Sequence, residues 1–131
     1  MLLRILCVDD DRLVLAITAD LLRDLGHEVI EVSAVSDASR IVAADNIGLD
    51  LLITDIHLPG AIDGIGLAER ARRTHPGLPV IYFSGLAHVV PPGIKSTVLH
   101  KPCTLGELER AIDLTRRCPV GTPMSPAAST G

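Results

Sequence analysis

Polar residues of compatible chemistry fall at the ends of apolar runs. Asp9, Asp10 and Asp11 follow one run, Asp55 another, Ser84 a third and Lys101 a fourth. If Asp9, Asp10 and Asp55 share a pocket, they repel: two unit charges 4 Å apart cost roughly 4 kcal/mol at an effective dielectric of 20. A retained proton or a bound cation must offset that repulsion. An all-oxygen set of carboxylates and waters suits a hard divalent ion, magnesium better than zinc. Lys101 adds a mobile ammonium and Ser84 a hydroxyl, and the whole makes a place for a phosphoryl group. One carboxylate held in line with a phosphoryl donor can be the nucleophile, giving an aspartyl phosphate. Taken singly, each residue has a plainer role. A strand-end aspartate is a turn former or a helix cap, as Asp11 is expected to be, Ser84 before Gly85 is a turn residue, and Lys101-Pro102 is a solvated loop. Convergence at four strand ends is what favours chemistry.

The elements that must position these groups alternate in pattern. Leu2 to Val8, Val29 to Val32, Leu49 to Thr54, Pro79 to Phe83 and Thr97 to His100 are short apolar runs, several apolar on successive residues, as in strands buried on both faces. Between them lie helical periodicities. Val14, Ile17, Leu21 and Leu25 share one face of a first helix, which Gly26 can end in a left-handed cap. Ala38, Ile41 and Val42 mark a second helix, with Ser36 as its expected N-cap. Ile65, Ala68 and Ala71 mark a third, opened by Asp63 and ended before Pro76. Leu105, Leu108 and Ile112 mark the last, with Thr104 and Glu107 as a capping box and Arg116 and Arg117 at the negative end of its dipole. Strand–helix alternation predicts a parallel sheet with helices on both faces and a ligand site at the carboxyl ends of the strands. If the first and third strands are neighbours, their ends lie about 5 Å apart. Pro91, Pro92 and Gly93 argue against a regular helix between the fourth and fifth strands.

Composition narrows the field. The chain has 131 residues, 12 Lys plus Arg against 16 Asp plus Glu and a net charge of −4, which fits a single domain without a broad electrostatic grip on nucleic acid or anionic lipid. Tyr82 and Phe83 are its aromatics, too few to stack single strands. Cys7, Cys103 and Cys118 lack zinc-site spacing and suggest a reducing, cytoplasmic setting. The apolar start contains Arg4 and meets Asp9 too soon for a signal peptide. The uncharged stretch from Thr74 to Ile94 is broken by prolines and glycines, so no membrane span is expected. One domain over residues 1–118 and a disordered tail over 119–131 are the expected organisation.

These residues carry a resemblance. Leu6-Cys-Val-Asp-Asp-Asp11, the run from Asp50 to Pro59 followed by Asp63-Gly64, Val80 to Gly85, and His100-Lys-Pro102 resemble, in order and spacing, the receiver domain of two-component response regulators. The likeness covers roughly residues 2 to 117 and is nearest to single-domain regulators of the chemotaxis type. It implies a flavodoxin-like, doubly wound sheet of five parallel strands in the order 2-1-3-4-5, in which the prolines of this chain leave the helix before the last strand shortened or irregular. It also implies that Asp55 accepts a phosphoryl group from a histidine kinase or a histidine phosphotransfer protein. Asp9, Asp10 and Asp55, with the His57 backbone carbonyl, would hold Mg2+, while Ser84 and Lys101 would contact the phosphoryl oxygens. The expected product is a stand-alone signalling module, not an enzyme beyond its own phosphorylation and dephosphorylation. It would act on an unidentified downstream protein, without direct nucleic-acid or membrane contact.

The sequence also departs from the family. The family's switch aromatic in the fifth strand falls at Val98, and the stretch from Ser84 to Lys101 is short and proline-rich, so a remodelled signalling face is expected. One extra residue stands between Pro59 and Asp63. His57 and Leu86 occupy positions that tune hydrolytic water in the family. Two rivals are an aspartate-nucleophile phosphatase, which would want an acid where His57 stands, and a receiver-like module that is not phosphorylated. Gly64-Ile-Gly66 lacks the rest of a dinucleotide fingerprint. His27, His75 and His88 are expected to be solvated, Cys7 to be a small core residue, and the arginines at 70, 72 and 73 to favour a helix end.

Overall fold

The apolar runs pair into one parallel sheet, β1 (Arg4–Val8), β2 (Glu28–Val32), β3 (Leu51–Asp55), β4 (Val80–Ser84) and β5 (Ser96–His100), in the order β2-β1-β3-β4-β5. The helices are α1 (Arg12–Asp24), α2 (Val35–Ala43), α3 (Gly64–Thr74) and α4 (Leu105–Arg117). The computed structural model describes residues 2–85, 96–101 and 103–117. The segment 86–95, where an irregular helix is expected, lies outside the described residues, as do Leu86, His88, Pro102, Cys118 and the tail 119–131.

Alternation along each strand divides the core in two. Leu6, Val8, Leu52, Val80 and Tyr82 pack against Ala38 and Val42 of α2 and Leu67, Ala68 and Ala71 of α3. Ile5, Cys7, Leu51, Ile53, Ile81, Phe83 and Leu99 pack against Leu15 and Leu22 of α1 and Leu108, Ala111 and Ile112 of α4. This is the expected doubly wound, flavodoxin-like fold. With both faces covered, the ends of the strands are left to host polar chemistry.

Helix starts follow the sequence in most places. Asp11 caps α1 by accepting the Leu13 and Val14 N–H groups, and Asp63 caps α3 by accepting from Gly66. Thr104 and Glu107 bond reciprocally before α4, at 2.9 and 3.1 Å. Gly26, at φ 92°, donates its N–H to the Arg23 carbonyl while His27 reaches the Leu22 carbonyl, closing α1 in a Schellman turn.

Several local expectations are corrected. Ser36 does not cap α2: the helix begins at Val35, and its N-cap is Ala34, which makes no side-chain bond. On α1 the buried positions are Leu15, Thr18, Ala19 and Leu22. The stripe of Val14, Ile17, Leu21 and Leu25 lies beside them, and Ile17 is exposed. Two adjacent apolar stripes exist on this helix, and the sheet takes the one with the small Ala19. Leu105 is also exposed, because α4 meets the sheet from Leu108 onward. His27 and His75 are half-buried rather than solvated. The His27 Nδ1 accepts the Leu3 N–H at 3.1 Å, and the His75 Nε2 is buried. Arg72 turns back to donate to the Leu78 carbonyl at 3.0 Å. No helix among the described residues is long and apolar enough to cross a membrane.

Candidate functional site

Register sets the site. Pairing of Val8 with Thr54 brings the residues that follow, Asp9 and Asp55, side by side beyond the ladder. Pairing of Asp55 with Phe83 and of Ser84 with His100 brings Ser84 and Lys101 to the same end. The Lys101 N–H donates to the Ser84 carbonyl at 3.0 Å, so the chain enters the site still attached to β4.

The acids meet there. Asp9, Asp10 and Asp55 each offer a carboxylate oxygen, and these oxygens all lie within 4.8 Å of one another. The Lys101 Nζ donates to Asp9 Oδ2 at 2.8 Å and to Asp55 Oδ2 at 3.0 Å. The Asp9 side chain is 3% exposed, that of Asp55 13% and that of Lys101 23%, so the ion pairs are largely out of water. Asp10 is exposed at the rim. The second oxygens of the buried acids are held by backbone: Asp9 Oδ1 accepts from Asp11 at 2.9 Å and Asp55 Oδ1 from His57 at 3.3 Å. Ser84 is fully buried at the end of β4, and the His57 residue is exposed.

Electrostatics follow from this geometry. Burial pulls the Lys101 ammonium down, but hydrogen bonds and charge from Asp9 and Asp55 outweigh it and raise Lys101 above the ordinary lysine value. Three carboxyl groups gather here, two of them bonded to one ammonium, and their oxygens fit a hard divalent cation without nitrogen or sulfur ligands. Cys7, on the neighbouring strand, takes no part. Burial first, then the Asp9 and Glu31 charges, push its thiol up to about 12. Val98 is half-buried on β5 and pairs in register with Tyr82, which is fully buried on β4 as part of the core. Burial pushes the Tyr82 hydroxyl up to about 12.

Two residues beside the site had drawn no role from the sequence. The Thr54 hydroxyl donates to the Asp55 carbonyl at 3.0 Å. A Cβ at Gly64 would stand 2.0 Å from that same carbonyl oxygen. The signal for Gly64 was a glycine at the first position of a helix, where no left-handed turn is needed and closeness is the remaining reason for its presence. Thr54 gave none beyond a hydroxyl in an otherwise apolar run.

Known proteins bear on this geometry. The sequence profile described as the response regulator receiver domain matches residues 5–113. The chain is 32% identical over 126 residues to a protein-glutamate methylesterase/protein-glutamine glutaminase of Trichodesmium erythraeum, covering 87% of this chain and 34% of that protein. It is 35% identical over 127 residues to the transcriptional regulatory protein TcrA of Mycobacterium tuberculosis, covering 92% of this chain and 49% of the relative. The chain thus spans half or less of each of these relatives. Among solved structures, a response regulator receiver protein from Sinorhizobium medicae superposes with a TM-score of 0.76 at 30% identity, over 87% of this chain and 94% of that one.

Proposed function

The chain belongs to the response regulator receiver family of two-component systems, and from that membership we propose that Asp55 accepts a phosphoryl group from a phosphohistidine in a magnesium-dependent step. The donor is a histidine kinase or a histidine phosphotransfer protein. The observation that carries the reading is the ammonium of Lys101 bonded at once to Asp9 and Asp55, at 2.8 and 3.0 Å, within a knot of three acids.

An Asp55 carboxylate oxygen attacks phosphorus, the bond from phosphorus to the imidazole nitrogen breaks, and the donor ring leaves with its electron pair. Asp55 becomes an acyl phosphate. Asp9, Asp10, Asp55 and the His57 carbonyl are the groups that would hold the metal, which supplies charge neutralisation for the phosphoryl oxygens. Lys101 transfers its hydrogen bond from Asp55 to a phosphoryl oxygen, and Ser84 donates to another. Phosphorylation adds about −1.5 to −2 of charge at one point. The shift of Lys101 and Ser84 toward that charge biases the surface of the receiver between two states.

In this reading the receiver works in the cytoplasm and signals through protein contacts. Its chemistry is confined to its own phosphorylation and dephosphorylation. The free thiols of Cys7 and Cys103 support a reducing compartment, and the net charge of −4 favours a protein target over nucleic acid.

Incubation with a small phosphodonor and Mg2+, followed by intact mass measurement, tests the assignment. A single phosphoryl group is gained by the parent and by Lys101→Ala, in which phosphorylation no longer changes partner binding. Asp55→Asn gains none, and chelation of the metal slows the parent. Equal labelling of Asp55→Asn and the parent overturns the acceptor assignment.

A further inference from the structure

We infer that Thr54 and Gly64 form a clamp on the main chain of Asp55 and act as positioning residues for phosphoryl transfer, an inference that rests on Asp55 being the acceptor. Asp55 is the last residue of β3, and the Ile56 N–H is still bonded to the Phe83 carbonyl at 3.1 Å. The Asp55 carbonyl takes its bond from the Thr54 hydroxyl instead, at 3.0 Å. Thr54 is fully buried, so this hydroxyl is shielded from exchange with water.

The other jaw is α3. Asp63 caps the helix by accepting from Gly66 at 2.9 Å, and the Gly64 N–H donates to the Ile56 carbonyl at 2.8 Å. This bond draws the first turn onto the end of β3. An added Cβ at Gly64 would stand 2.0 Å from the Asp55 carbonyl oxygen, 2.9 Å from its carbon and 3.0 Å from the Ile56 Cα. All three atoms are backbone, so no side-chain rotation relieves the clash.

The clamped peptide has consequences on both sides. Its residue carries the Oδ2 that meets Lys101, and the chain just beyond carries the His57 N–H that holds Asp55 Oδ1 at 3.3 Å. A displaced peptide therefore moves the carboxylate out of line with the incoming phosphorus. Misplacement by about 1 Å can cost on the order of a hundredfold in rate. Neither residue touches the reacting atoms, and their action passes through the backbone of Asp55.

The test measures the rate of labelling by a small phosphodonor at saturating Mg2+, with circular dichroism confirming the folded state at the same temperature. Gly64→Ala is expected to lose about a hundredfold. Thr54→Val, which keeps the shape and removes the hydroxyl, is expected to lose about fivefold, the worth of one hydrogen bond, and Thr54→Ser to recover most of it. Val42→Ala, a core truncation in α2, controls for stability alone and keeps the parent rate. Thr54→Val labelling within a factor of about two of the parent overturns the clamp, as does equal loss in Thr54→Ser. If Gly64→Ala does not fold, the Thr54 pair decides by itself. A parent that takes no label brings down the acceptor assignment and the clamp together, whereas a labelled parent with indifferent variants brings down the clamp alone.

Discussion

At the amino end of the sheet, Arg4 bonds the Glu28 carboxylate at 3.3 Å and the Ile47 carbonyl at 2.6 Å, while its own N–H donates to Asp50 at 2.8 Å. At the carboxyl end, Lys101 bonds Asp9 and Asp55. The Arg4 and Glu28 side chains are 41% and 51% exposed, whereas Asp9 is nearly dry. The first cluster joins β1, β2 and the loop before β3 near the surface and shares its charge with backbone groups, so little is at stake in any one contact. The second gathers more acid than base where solvent is scarce, and a fold selected for stability alone gains nothing from that. The expense makes sense if the excess acid waits for a cation and a phosphoryl group.

Removing the ammonium is the strongest way to expose the difference. Lys101→Met leaves Asp9 and Asp55 buried without their partner and is expected to cost about 3 kcal/mol in urea unfolding without divalent ions. An unchanged midpoint would show that the acids are solvated after all. The same bond has a pH signature. Lys101 is raised in the folded state, so its contribution is complete below the ordinary lysine value of about 10.4 and disappears as pH climbs through the higher folded value.

A cation should do the opposite. Mg2+ at a hundred times its dissociation constant is expected to add about 2.7 kcal/mol to the parent, read as a rise in Tm. Asp10→Asn removes a rim carboxylate that makes no bond to Lys101, and the gain should shrink. Equal stabilisation of parent and variant would place the ion elsewhere.

The sequence was readable to different depths at these two ends. Asp9, Asp55, Ser84 and Lys101 could be picked out because each closes an apolar run, and a parallel sheet puts such closures on one edge. The strand order came from the likeness to a family, since periodicity alone does not say that β1 and β3 are neighbours. The face of α1 was misread because Val14, Ile17 and Leu21 have the same spacing as Leu15, Thr18 and Leu22. The choice between such stripes is made by packing, which favours Ala19 against the sheet. Ser36 is a sound cap by residue type, yet α2 starts two residues earlier, capped by a bare Ala34. Arg4 drew notice only as an interruption in an apolar start. Its partners Glu28, Ile47 and Asp50 lie 24 to 46 residues away, and no local pattern announces a contact of that kind.

Breaking the amino-end cluster should matter less than breaking the carboxyl-end one. Arg4→Met is expected to cost about 1 kcal/mol, mostly through the Ile47 bond, with a small dependence on salt. A loss as large as that of Lys101→Met would erase the contrast between the ends.

The finest difference between the ends lies in His27. Where folding holds a charge on Lys101, it holds His27 neutral: burial lowers its value, the nearby Arg116 lowers it further, and Glu109 opposes them. The reason is visible in the bond it makes, because Nδ1 can accept the Leu3 N–H only while it carries no proton. A base lowered in the folded state binds fewer protons there than in the unfolded chain, so stability falls as pH drops below the ordinary histidine value of about 6.5 and levels off below the folded one. In His27→Gln the amide oxygen can accept in place of the ring nitrogen and does not titrate. Urea midpoints at pH near 7.5 and 5.5 should therefore lie closer together in His27→Gln than in the parent. Identical spacing in both proteins would mean that the ring is free to protonate where it stands, and that the amino end, like its ion pair, is open to water throughout.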